Sequence, residues 1–375
     1  MSSVALLPPV WVDRKPLFDR MIKDLSVQPR VSVDTESNSL HAYQEQVCLV
    51  QFSTPTTDYI LDPFVFSDLS ALGPLFNNPS QEKIFHAAEY DLICLTRDFG
   101  FEFANLFDTM YAARVLGYPL VGLDNMLSEK MGITIDKRHQ KADWGARPLT
   151  HSQIDYARLD THYLFQLRDV LEKELAEKER LELAREDFVR ACKVDQPRGK
   201  VNGASWRRFS ARKDISIREL TILNELCSFR DRVAEHLDRP PFKVLDDDTL
   251  LAIARNLPEK DVDLAGIGLS PKQIRLWGND ILHATRRGVD APLVTREQAR
   301  RPTDAVLRRL EKLKNWRKTT AREMGVESDV VLPKVYLNAL SEKPPRIMSE
   351  LEIALAESPW RFRHFGPQIL KMLGG

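Results

Sequence analysis

The sequence predicts an α/β domain with a central sheet, followed by two all-helical domains. Over about the first 190 residues, short β-branched or apolar runs alternate with helical patterns, as in a sheet covered by helices. Beyond a polar stretch near residue 200, every segment has helical periodicity. This helical part also matches itself at an offset of 87 residues, which indicates a duplicated unit.

The elements of the first half follow from their residue patterns. Four apolar runs of strand length predict strands at 31–34, 47–52, 58–61 and 83–86. Helical periodicity predicts helices at 90–99, 108–116 and 123–131, and one long helix from Ser152 to about Cys192.

The domain boundaries follow from the loss of apolar periodicity. Residues 194–211 are mostly polar and contain a proline and two glycines, which is typical of a linker. In the repeat, Leu223 matches Leu310, Arg230 matches Arg317 and Pro258 matches Pro345. Leucines alone would match by chance between any two amphipathic helices, but the arginine and the proline favour duplication. We expect domains at 1–193, 212–290 and 303–375, with linkers at 194–211 and 291–302.

Composition bounds the class of protein. The 375 residues are 43% hydrophobic, which is enough for more than one packed core. Lys plus Arg equals Asp plus Glu, 54 against 54, but the charge is unevenly placed. Residues 1–200 hold 23 basic and 30 acidic side chains and residues 201–375 hold 31 and 24, so the halves carry −7 and +7. This asymmetry predicts different tasks for the two halves.

Cysteine usage and apolar runs predict a cellular location. The four cysteines form no Cys-x-x-Cys pair, which argues against a zinc cluster and against a disulfide framework. No apolar run reaches the roughly 18 residues that span a bilayer, and the N-terminus lacks a signal-peptide pattern. We expect a cytoplasmic protein with no membrane association, and no feature of the sequence indicates an obligate protein partner.

Acidic residues stand next to apolar segments, where charge is costly. Asp34 and Glu36 end the first predicted strand with one residue between them, so strand alternation places both on one face. Two neighbouring carboxylates repel each other unless a cation lies between them. A solvated strand end would also explain this pair.

Two further segments carry acids in comparable settings. Asp91 lies near the start of the helix that follows strand 83–86, where a favourable charge at the helix N-terminus is the simpler explanation. Tyr156 and Asp160 are four residues apart and share one face of the long helix, where a hydrogen bond between them would stabilise that helix. Three such segments in one chain favour a shared site.

Four carboxylates without a His or Cys cluster suit hard cations such as Mg²⁺ or Mn²⁺. Two such ions about 3.5 to 4 Å apart stabilise the attacking and the leaving oxygen of a phosphodiester displacement. The residues therefore predict a metal site that acts on a nucleic acid.

The order Asp34-Thr-Glu36, His86-x4-Asp91 and Tyr156-x3-Asp160 resembles the three motifs of the DEDD superfamily of 3′-to-5′ exonucleases. The third motif is that of the tyrosine branch. The residue five before Asp160 is an aspartate, which excludes the histidine branch. The blocks 106–109 (Leu-Phe-Asp-Thr) and 143–150 make the chain most similar to the ribonuclease D family, and the duplicated tail resembles the HRDC domain.

This resemblance implies a ribonuclease H-like, DnaQ-like domain with a mixed central sheet, followed by two HRDC domains. It implies that Asp34, Glu36, Asp91 and Asp160 bind two Mg²⁺ or Mn²⁺ ions and that Tyr156 orients the attacking water. The implied activity is hydrolysis of RNA from the 3′ end to 5′-mononucleotides, in the 3′ maturation of tRNA precursors. A DNA exonuclease with the same acids and a non-catalytic RNA-binding protein are the alternatives.

Other residues could contact the substrate. His86 could touch a phosphate, although a buried histidine with satisfied hydrogen bonds is at least as good an explanation. Trp144 and Arg147 could stack on or pair with the RNA end, or could serve packing alone. A basic loop at 137–141 could guide a phosphate backbone or could simply be solvated.

Overall fold

The structure, a computed structural model, describes residues 6–194, 205–296 and 302–374. Contacts divide the chain into two compact units. The first comprises Met1–Ser37, Val47–Pro197 and Pro302–Gly375, and the second comprises Asn38–Gln46 and Arg198–Arg301. The helical segment after residue 302 thus belongs to the same unit as the α/β domain. The domain boundaries stay a prediction, because residues 195–204 and 297–301 of the two expected linkers lie outside the described residues.

The first unit contains a six-stranded sheet with the strand order β1-β4-β3-β2-β5-β6. The strands are β1 (Val10–Val12), β2 (Arg30–Ser37), β3 (Val47–Ser53), β4 (Asp58–Leu61), β5 (Glu82–Phe85) and β6 (Leu106–Asp108). β3 is antiparallel to both of its neighbours, β2 and β4, whereas the other pairs are parallel. The mixed sheet is confirmed. The strands β1 and β6 were not predicted because three residues carry too little periodicity.

Eight α-helices accompany this sheet among residues 6–194. They are α1 (Lys15–Ser26), α2 (Gly73–Phe76), α3 (Glu89–Phe99), α4 (Thr109–Leu116), α5 (Leu123–Met131), α6 (His151–His162), α7 (Leu164–Glu177) and α8 (Leu181–Ala191). The prediction of one helix from Ser152 to Cys192 is wrong, because the chain forms three helices there. The first break lies at Tyr163, and the second includes Glu179, whose φ of 56° is incompatible with a continuous α-helix.

The second unit is a helical bundle with its own apolar core. Its helices are α9 (Ile217–His236), α10 (Pro241–Val244), α11 (Asp247–Asn256), α12 (Asp261–Ile267) and α13 (Pro271–Asp290). Long helices α9 and α13 pack against each other. Residues such as Leu223, Leu226 and Ile281 are fully buried between the helices.

The remaining helices of the first unit form the second helical segment. They are α14 (Asp304–Met324), α15 (Ser328–Val331), α16 (Lys334–Glu342), α17 (Met348–Ala354) and α18 (Pro359–Leu373). One contact occurs in both helical segments at the 87-residue offset. Arg230 Nη1 donates to Leu245 O at 3.3 Å, and Arg317 Nη1 donates to Leu332 O at 2.9 Å. The shared contact supports the duplication.

Helices α14–α18 share an apolar core with the α/β domain, in which Phe188 of α8 and Ile369 of α18 are buried. Arg361 on α18 has no exposed side-chain surface and donates to Glu186 Oε2 and Asp187 Oδ1 on α8, both at 2.8 Å. The backbone also approaches closely, since a Cβ on Gly117 would lie 2.1 Å from Gly325 O. This segment is therefore packed on the α/β domain.

Within the described ranges, no helix combines the length and apolarity that crossing a membrane requires.

Candidate active site

Strand β2 places two acids where the neighbouring parallel strand has ended. β2 pairs with β5 only as far as Ser32, whereas its pairing with β3 continues to Ser37. Asp34 lies opposite Gln51 of β3, and Glu36 lies opposite Leu49. Directly opposed residues share a sheet face, so both acids lie on the face of Leu49 and Gln51. Both side chains are partly exposed at the C-terminal end of β2.

Helix α6 covers that face and supplies Tyr156 and Asp160. Ala157 of α6 shares an apolar cluster with Leu49, and α6 packs on β2, β3 and β4. The helix begins at a capping box formed by Thr150 and Gln153.

The C-terminal end of α6 is tied to the sheet by side-chain hydrogen bonds. Ser53 Oγ lies 2.8 Å from Thr161 Oγ, and His162 Nδ1 lies 2.8 Å from Asp58 Oδ2. Asp160 directly precedes these two anchored residues. Its carboxylate is therefore fixed relative to the strands.

Helix α3 supplies the fourth acid. Asp91 lies in its first turn, is buried, and accepts a hydrogen bond from Thr35 Oγ, the residue between the two acids of β2. The turn before α3 includes Ala87 with φ of 64°, a conformation that costs a non-glycine residue energy.

Asp108 holds this turn in place. Its carboxylate accepts from the N–H groups of Ala87 at 3.1 Å and Ala88 at 2.8 Å, and from Met110 at 2.8 Å and Tyr111 at 3.1 Å. It thereby joins the turn before α3 to the start of α4. The residue stands in the block 106–109, but the sequence alone indicates no role for it.

The four acids interact electrostatically. Burial raises the pKa of Asp34 well above its usual value, and the negative charges of Asp91, Asp160 and Glu36 raise it further. The pKa of Glu36 is raised well above its usual value by burial and then by Asp160 and Asp91. Burial raises the pKa values of Asp91 and Asp160 to about 7. Three segments that are distant in sequence therefore bring four carboxyl groups together.

These donors fit a hard divalent cation in kind. All four are carboxylates, and no Lys or Arg of the described residues forms an ion pair with any of them. As placed, the described side chains contain no group of three or more His, Cys, Asp or Glu residues arranged closely enough to hold a metal ion. The four carboxylates are thus suitable metal ligands in type, but as placed they do not form a complete coordination shell.

Tyr156 stands beside the acids. The pKa of its phenol is raised by burial, then by the charges of Asp160, Glu36 and Asp34. Its ring stacks on Trp144, with centroids 6.0 Å apart and planes at 26°. Trp144 is 1% exposed, and its indole Nε1 is buried without a hydrogen-bond partner. The indole therefore lies under Tyr156 as a packing surface.

Arg147 is fully occupied by the protein. Its guanidinium donates to both oxygens of Asp62, at 2.7 and 2.9 Å, and to the carbonyl oxygens of Trp144, Ala146 and Cys48 at 2.8 Å each. It also lies 4.8 Å from the ring centroid of Phe64. These contacts fix the loop that carries Trp144. They also occupy the guanidinium N–H groups that would be needed to bind RNA.

His86 directly follows β5, is the first residue of the second motif, and lies beside the start of α4. Its Nδ1 is 2.8 Å from Thr109 Oγ. Burial lowers the pKa of the imidazole to about 4, so the ring is neutral at pH 7. It carries no positive charge there with which to attract a phosphate.

The basic loop is partly neutralised by its own neighbours. Lys137 pairs with Asp124 at 2.7 Å and Arg138 pairs with Asp136 at 2.5 Å. His139 contacts the edge of Tyr156, with ring centroids 6.0 Å apart. The loop thus adjoins the acids, although two of its cations are already paired.

Gln51 is a further polar group that sequence patterns alone do not identify. It lies directly across from Asp34, is completely buried, and neither atom of its amide makes a hydrogen bond. A buried amide without partners costs about 1 to 3 kcal/mol. A glutamine within the apolar run 47–52 was the available signal.

Comparisons with known proteins agree with this arrangement. The sequence matches the family of 3′-5′ exonuclease domains over residues 9–176 and the HRDC domain over residues 219–285 and 306–373. Ribonuclease D of Gluconacetobacter diazotrophicus is 30% identical, with 100% of this chain and 95% of that protein covered. Ribonuclease D of Jannaschia sp. is 30% identical, with coverage of 93% and 91%.

Among solved structures, the RNase D of Escherichia coli matches over 98% of this chain and 99% of that chain, with a TM-score of 0.69 and 24% identity, which shows the fold. The catalytic core of RRP6 from Trypanosoma brucei is 27% identical, with a TM-score of 0.64 and coverage of 78% and 82%.

Several curated relatives are much longer proteins, such as the exosome complex component 10 homolog of Caenorhabditis elegans, which is 33% identical. The chain spans between 30% and 47% of the length of four such relatives. The bacterial relatives, by contrast, match over nearly their whole length. Exonucleases of this family generally depend on a divalent metal ion. With a match to the 3′-5′ exonuclease family, two HRDC matches and two ribonuclease D relatives at 30% identity over nearly their whole length, the chain belongs to the ribonuclease D family.

Proposed function

We propose that this chain is a 3′-to-5′ exoribonuclease that depends on two divalent ions, Mg²⁺ or Mn²⁺. In this proposal Asp34, Glu36, Asp91 and Asp160 are the metal ligands and Tyr156 orients the attacking water. One observation carries it. Burial raises the pKa values of four carboxyl groups from three distant segments, the charges of Asp91 and Asp160 raise those of Asp34 and Glu36 further, and no Lys or Arg of the described chain forms an ion pair with the four. Such an arrangement is costly unless cations bind there.

The reaction adds water to the phosphorus of the terminal phosphodiester, breaks the bond to the 3′-oxygen and releases a 5′-mononucleotide. Bound divalent cations would neutralise the carboxylates and offset the charge that develops on the phosphate oxygens. The raised pKa of the Tyr156 phenol keeps it protonated at neutral pH, so it cannot serve as a base. Its hydroxyl can hold a water by hydrogen bonding, and the stack on Trp144 fixes the ring for that purpose.

For the substrate we propose the 3′ ends of tRNA precursors, and for the location the cytoplasm. The support is membership of the ribonuclease D family, together with the description of the Escherichia coli RNase D as an exoribonuclease involved in structured RNA processing. His86, Trp144 and Arg147 were candidates for substrate contact. The contacts above favour supporting roles for Trp144 and Arg147, since the first is buried and the second is engaged by protein atoms.

The alternatives make different predictions about one assay. A DNA exonuclease would use the same acids, and a non-catalytic RNA-binding protein would gain only repulsion from four carboxylates near a phosphate. We would incubate 5′-labelled RNA, and DNA of matched sequence, with and without Mg²⁺ or Mn²⁺. Asp34→Asn is the inactive control.

A metal-dependent ladder of shortened products with RNA alone is the expected result. Equal shortening of DNA would contradict the substrate class. Tight RNA binding without metal-dependent cleavage would contradict the enzyme and support the binding protein. A precursor tRNA with a 3′ extension, tested beside unstructured RNA of the same length, then tests the tRNA assignment.

A further inference from the structure

Gln51 is a buried polar residue that the proposed mechanism does not use. Its side chain is completely buried, and neither its amide oxygen Oε1 nor its amide nitrogen Nε2 makes a hydrogen bond. The hydroxyl of Ser32 is equally buried and also lacks a partner. Buried polar groups are normally hydrogen-bonded, because burying them unpaired is costly. Three unpartnered polar atoms on two neighbouring strands therefore need an explanation.

Gln51 lies on the sheet face that carries Asp34 and Glu36. It stands directly opposite Asp34, and Ser32 is the next residue of β2 on the same face. Directly opposed side chains have Cβ atoms about 4.5 to 5.5 Å apart, and diagonal neighbours are within reach of a long side chain. The Gln51 amide can therefore reach both the carboxylate of Asp34 and the hydroxyl of Ser32.

The neighbours of Gln51 on the other side offer its amide little. Ile60 stands opposite it on β4 and Leu49 precedes it on this face of β3, and both are apolar and completely buried. Ser53 follows it on this face, but its hydroxyl already donates to Asp58 Oδ1 at 2.7 Å. The polar side chains of the sheet that remain next to the amide are therefore the two on β2.

The carboxylate of Asp34 needs a donor that fixes its orientation. Metal-binding carboxylates usually accept a hydrogen bond from a neighbouring group, which orients them for the ion. Thr35 Oγ supplies such a bond to Asp91. Within the described ranges, no side chain supplies one to Asp34. An amide that stands opposite Asp34 without a partner is suited to this task.

We propose that Gln51 is a positioning residue of the metal site. When divalent ions are bound, its Nε2 donates to the Asp34 carboxylate and its Oε1 accepts from the Ser32 hydroxyl. The chemistry sets this orientation of the amide, because an ionised carboxylate only accepts, whereas a hydroxyl can donate. All three unpartnered atoms are then satisfied. The inference rests on the proposed function and deepens it, because it adds a residue that acts through the metal ligand Asp34.

Gln51→Met removes the amide and keeps a side chain of similar length. Gln81→Met is the matched control, because Gln81 is also buried but its Nε2 donates to Leu25 O at 2.7 Å and to Gln28 O at 2.8 Å. For each full-length chain, calorimetry gives the Kd for Mn²⁺, and urea unfolding in EDTA gives the stability of the metal-free protein. Kinetics with RNA give kcat and KM.

We expect Gln51→Met to bind Mn²⁺ about tenfold more weakly and to lower kcat at unchanged KM, because Asp34 loses its orienting donor. Its urea midpoint should not fall, because an unpaired amide is replaced by an apolar group. Gln81→Met should show the reverse, a lower urea midpoint with unchanged Mn²⁺ affinity. A residue that only packs would not separate these measurements in this way.

Ser32→Ala tests the second contact of the amide. We expect it to weaken Mn²⁺ binding by less than Gln51→Met does, and to have no further effect in the Gln51→Met background, since Ser32 acts through Gln51. Ser358→Ala is its control, because Ser358 is also completely buried, and its hydroxyl also has no partner among the described residues. It should bind Mn²⁺ like the wild type.

Unchanged Mn²⁺ affinity and kcat in Gln51→Met would overturn the proposal. So would a loss of affinity that is accompanied by a lower urea midpoint, because Gln51 would then be a packing residue. Should circular dichroism show that Gln51→Met is misfolded, the two serine variants decide. Weaker Mn²⁺ binding in Ser32→Ala but not in Ser358→Ala supports the proposal, and equal binding in both overturns it.

Failure of this inference is distinguishable from failure of the proposed function. If the wild type binds Mn²⁺ and shortens RNA, and Gln51→Met does both equally well, only the assignment of Gln51 is wrong. If the wild type neither binds Mn²⁺ nor shortens RNA with any metal, the proposed function is wrong, and the role of Gln51 at a metal site fails with it.

Discussion

The buried carboxyl group of Asp91 is in a setting that favours a bound proton or cation. Burial raises its pKa to about 7, while the side chain and backbone of Thr35 lower it. In the folded protein without metal, this carboxyl therefore binds a proton at pH values where the unfolded chain, with a pKa of about 3.9, has released it. Its contribution to stability is complete below about pH 4 and is lost as the pH rises through about 7.

This shift predicts the pH dependence of the metal-free protein. We expect the melting temperature in EDTA to fall between about pH 4.5 and 7.5, and we expect Asp91→Asn to reduce the fall, because the amide does not ionise. Calorimetry across this range measures it. The control Asp155→Asn changes an exposed acid of α6 and should leave the slope as in the wild type. A flat profile in the wild type would contradict the raised pKa values of the cluster.

Tyr156 tests the assignment of an orienting role. Tyr156→Phe keeps the stack on Trp144 but removes the hydroxyl, so we expect kcat to fall by about 100-fold through loss of positioning. Mn²⁺ affinity should stay unchanged, because the phenol is not proposed as a ligand. Single-turnover kinetics and calorimetric Mn²⁺ titration separate the two effects. An unchanged kcat would contradict the proposed role of the Tyr156 hydroxyl in orienting the attacking water.

At the scale of elements, the turn between β5 and α3 decides where Asp91 stands. Asp108 accepts four backbone N–H groups, two from this turn and two from the first turn of α4. A carboxylate has acceptor sites for four donors, whereas an amide has one acceptor oxygen. An aspartate at position 108 can therefore accept all four N–H groups, whereas an asparagine cannot.

Asp108→Asn should leave buried N–H groups unsatisfied and lower the free energy of unfolding by about 1 to 3 kcal/mol. It should also weaken Mn²⁺ binding, because α3 carries Asp91. Urea unfolding and metal titration measure the two effects. Asp136→Asn is the matched control, since Asp136 also caps a turn through the N–H of Arg138 but is exposed. Equally small losses of stability and of Mn²⁺ affinity in both variants would show that Asp108 does no more than an exposed capping residue.

The elements that matter for the site were largely predictable. Apolar runs located β2, β3 and β5, and the spacing of four placed Tyr156 and Asp160 on one helix. The three-residue strands β1 and β6 and the break at Tyr163 have no pattern of their own, because tertiary packing decides them. The same holds for Asp108 and Gln51, whose significance depends on partners, or on a lack of partners, that only the fold reveals.

At the scale of the whole molecule, Arg361 joins the second helical segment to the α/β domain. It is completely buried and donates to Glu186 and Asp187 of α8, as well as to the carbonyl oxygens of Val330 and Val331. The sequence showed the repeat but not that its second copy packs on the nuclease domain. Nothing in the periodicity of α8 or α18 encodes this partner.

Arg361→Met would leave the buried carboxylate of Glu186 without a cation and would leave Asp187 with Arg190 alone, so we expect a loss of about 3 to 5 kcal/mol in the free energy of unfolding. Urea denaturation measures it. Arg363→Met is the control, because Arg363 pairs with Glu182 at 2.5 Å on an exposed surface and should contribute less than about 1 kcal/mol. Similar stabilities for the two variants would show that the contact between α8 and α18 does not stabilise the first unit.

The net charge of zero is the sum of an acidic nuclease domain and a mildly basic tail. Within the tail, three arginines of the first copy, Arg212, Arg255 and Arg287, are paired with local acids. The division between the halves was visible in the sequence. Which basic side chains of the tail pair with acids is seen only in the folded chain.

The most direct test of the central claim is calorimetric titration of the RNA-free chain with Mn²⁺, for the wild type and for Asp34→Asn. If the four acids form one metal site, the wild type binds two ions and releases protons near pH 7, and Asp34→Asn binds at least about tenfold more weakly. Binding of equal stoichiometry and affinity in both proteins would contradict the claim that these carboxylates converge to hold metal.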